Sequence, residues 1–166
     1  MNKTHRIVLS SLFIGLTFIF TYFVRIPFPT GGYFNVGDAF IIISAILIDP
    51  FAGMLVGAVA GTFSDLLSGY ALFIPFTIVA KGLEALIAGL IYHKLRNVFR
   101  YSGVILGPIV MVLVYSFSYY VLLDISAMFA NFPFDLVQAG IAIILSIIIL
   151  IVLERTPLLR RFKARK

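Results

Sequence analysis

Five ionisable side chains lie within or beside strongly apolar stretches of this chain: Asp38, Asp65, Lys81, Glu84 and Asp135. Asn35, Asn131 and Gln138 are their neutral polar companions. Residues of these types can receive a polar ligand, pass a proton or couple to an ion, or, as paired carboxylates, do acid/base chemistry. The sharpest case is FTIVAKGLEALIAGLIY, residues 76–92, which is apolar enough to cross a bilayer yet carries Lys81 and Glu84 near its middle. A lone charge at mid-bilayer costs about 2.5–3.5 kcal/mol even on insertion scales, so these groups must face a bundle interior and find partners. Lys81 and Glu84 are three residues apart and share a helix face, so an ion pair within the helix would satisfy both. The other reading is that this face, with Asp65 and the helix start near Asp38, lines a pocket reached by solvent and a ligand.

Several chemistries are excluded or disfavoured. The chain has no cysteine, and its histidines, His5 and His93, lie in charged flanks, so no metal site is expected. No HExxH or GxSxG motif accompanies the carboxylates, which leaves an intramembrane enzyme using Asp65 and Glu84 as a remote alternative. There is no GxxxxGK[ST] phosphate loop either, so any solute accumulation must draw energy from a partner or an ion gradient. No cofactor is expected.

Of the 166 residues 61% are hydrophobic and only 12% charged, which marks an integral membrane protein forming a single domain over 1–166. The net charge of +6 does not point to nucleic acid, because the basic residues cluster between apolar segments. Lys3 and Arg6 come first, then Lys94, Arg96 and Arg100, then Arg155, Arg160, Arg161, Lys163, Arg165 and Lys166. By the positive-inside rule they mark the cytoplasmic face, place both termini there, and suit contact with anionic lipid. The N-terminal run reads as a first span rather than a cleaved leader, because it lacks a small-residue cleavage site.

The elements that must carry the polar residues form an all-α, six-helix transmembrane bundle, with helices near 7–24, 36–48, 51–68, 72–92, 103–123 and 134–153. The connections at 25–35, 68–70 and 124–133 then face outward. The second helix is too short to span: about 13 residues cover only about 20 Å. Asn35 is its expected N-cap, with Asp38 three residues on as in a capping box. Asp49 is positioned to cap the third helix, with Pro50 in its first turn. The loop RIPFPTGGYF before the second helix needs cover from protein or a wet cavity, since lipid cannot satisfy its backbone. Gly53, Gly57 and Gly61 form a small-residue stripe expected to pack within the chain, whereas Ser11 and Gly15 on the first helix are expected to meet a partner.

Asp38, Asp65, Asp135 and Gln138 fall toward the outer ends of their helices, with Lys81 deeper, so the polar groups converge on an outward-facing pocket. Each also has a structural reading: Asp38 as a cap, Asp65 as a helix end, Asp135 as a complement to a helix dipole. Tyr33 and Tyr119 are candidates to stack on a flat ligand, and Tyr70 and Tyr120 fit an interfacial belt. Several acids with one lysine suit a neutral or zwitterionic ring better than a polyanion. A self-sufficient secondary transporter or channel, with Lys81 and Glu84 serving ion coupling, is the main alternative.

FNVGDAFIIISAILIDPFAGMLVGAVAGTFSDLLSG followed by FTIVAKGLEALIAGLIY resembles the substrate-binding S components of energy-coupling factor transporters of prokaryotic cell membranes. The resemblance covers nearly the whole chain and is strongest from Tyr33 to Tyr92. It implies binding of a small water-soluble vitamin or precursor from outside, then assembly with a transmembrane coupling subunit and two ATPase subunits. It places ligand contacts at Asn35 to Asp38 and on the Lys81–Glu84 face. The family's Ala-x-x-x-Ala docking motif is matched in size by Ser11-x-x-x-Gly15. The branch that looks closest is that of pyridoxine-type (vitamin B6) and hydroxymethylpyrimidine binders; the absence of tryptophan argues against the thiamin binders.

Overall fold

The computed structural model describes residues 2–28 and 30–155. It contains α1 (Lys3–Tyr22), β1 (Arg25–Pro27), β2 (Tyr33–Asn35), α2 (Asp38–Leu47), α3 (Pro50–Ser68), α4 (Ile74–Lys94), α5 (Ser102–Leu122) and α6 (Ile125–Arg155). Single 3-10 turns, Ala71–Phe73 and Asn97–Tyr101, lead into α4 and α5. All the helices but α2 are long and apolar enough to cross a membrane, and aliphatic and aromatic side chains such as Leu12, Leu55, Phe63, Leu113 and Ile144 cover the outside of the bundle. A surface of that kind is stable against lipid, not water. The chain is a multi-pass membrane protein.

Helix α4 is the hub, packed along α3 and α5 and touching α2, while α1 lies against α3 and α6 against α5. Helix α2, with 10 residues, rises only about 15 Å, whereas α3, with 19, rises about 28 Å. The shortfall lies at the end where α2 starts, and there the chain inserts an antiparallel hairpin, with Arg25 opposite Asn35 and Pro27 opposite Tyr33. The segment read as an irregular loop is therefore paired backbone, which satisfies the main-chain groups that a loop would leave exposed. Arg25 secures the hairpin by donating to Ser68 at the end of α3 and by stacking over the Tyr22 ring at 4.7 Å.

Two further expectations change. Helix α6 begins at Ile125, nine residues before the predicted start at 134, so most of the connection read as a loop at 124–133 is helical. Asp124 starts it by accepting from the Ala127 amide at 2.7 Å, and Pro133 is accommodated within the helix at the loss of one amide donor. Asn35 does not cap α2: it ends β2, and its Oδ1 accepts from the Gly37 amide at 3.0 Å, so Gly37 is the N-cap and Asp38 is freed for another partner. Asp49 does cap α3, accepting from the Ala52 amide at 2.9 Å, and also pairs with Arg6 at 2.9 Å.

The interior divides in two along the bundle axis. In the half away from the hairpin Phe13, Ile42, Ile46, Val56, Val104 and Leu150 form a dry core. Its end is clasped by Glu154, which pairs with Arg100 at 2.7 Å and accepts from the hydroxyls of Tyr92 at 2.6 Å and Tyr101 at 3.1 Å. Arg6, Lys94, Arg96, Arg100 and Arg155 gather at this basic end; the cluster at 160–166 lies outside the described residues. The half beneath the hairpin is polar inside.

The glycines of α3 pack within the chain. Gly53 lies against Ala45 of α2, and a Cβ at Gly57 would stand 2.9 Å from the Lys81 carbonyl oxygen and 3.1 Å from Ile41 Cγ2. Gly57→Ala should therefore force α3 from α4 and cost about 1–3 kcal/mol, read as a lower thermal midpoint by circular dichroism in detergent. Gly140→Ala, at a position with no atom within 4 Å, should be neutral or slightly stabilising.

Candidate functional site

The polar half encloses a hollow under the hairpin, between α1, α3, α4, α5 and α6. Its cavity volume is about 30 Å³. That is room for a couple of waters as the side chains stand.

The floor is a continuous polar network. Lys81, two turns into α4, places its ammonium in direct contact with Asp38 Oδ1 and 3.7 Å from Glu84. All three side chains are at most 3% exposed. The other oxygen of Asp38 accepts from Gln138 Nε2 at 2.7 Å, and Gln138 Oε1 accepts from the Asn35 amide at 3.0 Å. Asn35 in turn receives the Thr21 hydroxyl at 3.4 Å. Residues of α1, β2, α2, α4 and α6 are thus joined around one buried ion pair. Lys81 is the shared cation, so the expected pair with Glu84 exists but is the longer of its two contacts.

Asp65 forms one wall. Its two oxygens receive the Tyr33 hydroxyl at 2.7 Å and the Thr77 hydroxyl at 2.5 Å, and Tyr115 donates onward to Thr77 at 3.3 Å. Burial, reinforced by the Asp65 charge, holds the Tyr33 hydroxyl well above the usual phenol range, so Tyr33 remains a donor. Aromatic rings follow one another around the hollow: Tyr33 to Tyr70 at 5.3 Å, Tyr70 to Phe73 at 6.1 Å, Phe73 to Tyr119 at 5.7 Å and Tyr119 to Tyr115 at 6.5 Å. Lys81 Nζ lies 5.4 Å from the Tyr115 ring centre.

Of the residues singled out from sequence, Tyr33, Asn35, Asp65, Lys81, Tyr119, Asp135 and Gln138 line the hollow. Asp38 and Glu84 lie behind its lining, Asp38 as the partner of Lys81. Asn131 sits above it and holds the hairpin turn, donating to the Gly31 carbonyl at 2.9 Å and accepting from Thr30 at 2.5 Å. Ser11 and Gly15 are on the outer side of α1, and nothing stands within 4 Å of a Cβ built on Gly15. Sequence reasoning missed Thr17, Thr21 and Thr77, whose short hydroxyls leave no charge signal in an apolar helix, although Thr17 and Thr21 are one turn apart. It assigned Tyr70 to an interfacial belt, whereas the structure turns that ring into the hollow beside Tyr33.

The family model for the ECF-type riboflavin transporter S component matches residues 1–155. The chain belongs to this family. Its members are membrane-embedded, non-catalytic binding subunits of energy-coupling factor transporters, so this S component is not an enzyme and works as one part of a transport assembly with membrane-coupling and ATPase subunits. A Pyrococcus woesei protein, described as an uncharacterized protein in a gap 3' region, is 40% identical over 127 residues, covering 75% of this chain and 85% of its own length. A solved structure described as the S component of a bacterial ECF transporter superposes with a TM-score of 0.79. It covers 92% of this chain and 97% of its own at 22% identity, a likeness of fold.

Removing one partner of the buried pair leaves the other charge uncompensated, so Lys81→Met should destabilise the protein by about 3–5 kcal/mol. The double change Lys81→Met with Asp38→Asn should recover part of that loss. A double-mutant cycle on thermal stability reads the coupling, and strict additivity would show that the two do not act as a pair.

Proposed function

We propose that this S component captures one small water-soluble vitamin or vitamin precursor in the hollow beneath the hairpin, for uptake by the ATP-driven complex. A single-ring compound of the vitamin B6 or hydroxymethylpyrimidine type is the favoured ligand. The observation that carries this reading is the hollow itself, where an aromatic wall faces hydrogen-bonding groups held by a buried network. Small-molecule sites combine those features, and a flat ring between Tyr33, Tyr115 and Tyr119 would meet polar groups at its edge.

The hairpin end would face outside and the basic end the cytoplasm, as the positive-inside rule requires of Arg6, Lys94, Arg96, Arg100 and Arg155. Both termini would then be cytoplasmic. The small-residue face of α1 at Ser11 and Gly15 is open to receive the coupling subunit. Riboflavin is the second reading, favoured by the description of the matching family. A tricyclic flavin with its sugar-alcohol chain needs more movement of side chains than one ring does to fit a cavity of about 30 Å³.

Mass spectrometry of ligand released from the purified protein, followed by titration calorimetry with pyridoxine, hydroxymethylpyrimidine and riboflavin, tests the choice. Stoichiometric binding of a single-ring compound is expected, and binding of riboflavin alone would replace it with the second reading. Tyr119→Ala should weaken binding by roughly 1 kcal/mol, about five-fold, without unfolding the bundle. Uptake by the chain alone into liposomes under an ion gradient would instead favour a self-sufficient transporter.

A further inference from the structure

The buried ionisable groups around the hollow are unequal in number, four carboxyl groups to one amine. Asp38, Asp65, Glu84 and Asp135 are all at most 3% exposed, and Lys81 is the only buried cation among the described residues. Lys81 is committed to Asp38, with Glu84 behind it. Asp65 has each oxygen occupied by a neutral hydroxyl, from Tyr33 and from Thr77. Both oxygens of Glu84 also lack a hydrogen-bond donor, but Glu84 lies behind the lining. Asp135 differs: its side chain is 2% exposed and lines the hollow, and its Oδ2, like Thr17 Oγ1 on the same lining, has no hydrogen-bond partner in the protein. A buried carboxyl oxygen without a partner carries its desolvation cost, and it is the acidic atom of this kind that an occupant of the hollow can reach.

We propose that the S component selects a flat single-ring ligand carrying a protonated exocyclic amine, and that Asp135 is the residue that receives this group. An ammonium donating to Oδ2 pairs with Asp135 as an ion and makes a charge-assisted hydrogen bond, where an alcohol hydroxyl brings no charge of its own. The π faces of Tyr115 and Tyr119, 6.5 Å apart and near parallel, favour a cation beside them as well. Glu84 lies behind the lining and makes no contact with an occupant of the hollow. The inference rests on the hollow being the ligand site, as proposed above, and adds the charge class of what it takes.

The test compares ligands that differ only at the proposed contact. Calorimetry on the full-length protein in detergent at neutral pH would use pyridoxamine against pyridoxine, and the aminomethyl against the hydroxymethyl form of the 4-amino-2-methylpyrimidine ring. The expected result is at least a tenfold preference for the amine in at least one pair. Asp135→Asn should erase that preference, weakening the amine compound at least tenfold more than its hydroxyl counterpart, and Asp135→Glu should retain it. Equal or tighter binding of the hydroxyl compounds, or tight binding of riboflavin alone, would overturn the inference and leave vitamin capture standing. A preference that survives in Asp135→Asn would overturn the role of Asp135. Should the Asn variant fail to fold, the two pairs on the unaltered protein still decide the charge class. No binding of any of these compounds to folded protein would remove the ligand-site reading and this inference together.

Discussion

An ammonium and a carboxylate buried in a membrane protein must each replace the water they have lost, and the contact of Lys81 with Asp38 shows how much structure that demands. Each finds its closest partner on another helix, although Glu84 of α4 also stands 3.7 Å from Lys81. Asp38 is the first residue of α2, Lys81 lies two turns into α4, and the remaining capacity of Asp38 is filled from α6 by Gln138, which in turn holds the end of the hairpin through Asn35. Taking a pair of charges out of water costs several kcal/mol per ion, and their attraction offsets this only when geometry and additional hydrogen bonds are good. The position of a helix too short to span is therefore set by electrostatics at its start as much as by packing along its length.

That constraint explains the division of the interior. Beyond Ile41, α2 is an ordinary apolar helix, and Ile42, Ile43 and Ile46 join the dry core with Phe13, Val56 and Leu150. Glycine contacts between α3 and its neighbours keep this half closely packed, since Gly53 and Gly57 leave no space for a side chain. Above Asp38 there is no helix to fill the bundle, and the hairpin, the aromatic wall and the polar network occupy the volume instead. Such an arrangement suits the proposed binding role, in which a closely packed lower half would support the groups that meet a ligand.

The membrane class, the approximate helices, the shortness of α2 and the Asp49 cap were legible because each rests on local pattern: apolar length, charge spacing, and an Asp-Pro pair at a helix start. The inward-facing polar residues were legible for a related reason, that a charge in an apolar helix has few tolerable places to go. The hairpin was not, because RIP and YFN are too short to show strand periodicity and pair only through a turn in which Gly31 and Gly32 have positive φ. The extension of α6 was hidden by Pro133, which ordinarily ends a helix. Thr77 escaped notice and Tyr70 was assigned to an interfacial belt, because a hydroxyl or a ring in a lipid-compatible segment says nothing by itself about which way it turns.

By its sequence alone this chain was determined to be a multi-pass, largely apolar bundle whose few ionisable residues must be inside, because composition and hydration energies act on each segment regardless of its neighbours. Which of those residues meet was decided only by the tertiary structure. Lys81 stands three residues from Glu84 on its own helix yet makes its closest contact with Asp38, forty-three residues away, and Asp135 lines the hollow with one oxygen unpaired. Pairing inside a protein depends on distance and desolvation in three dimensions, and no local pattern records either.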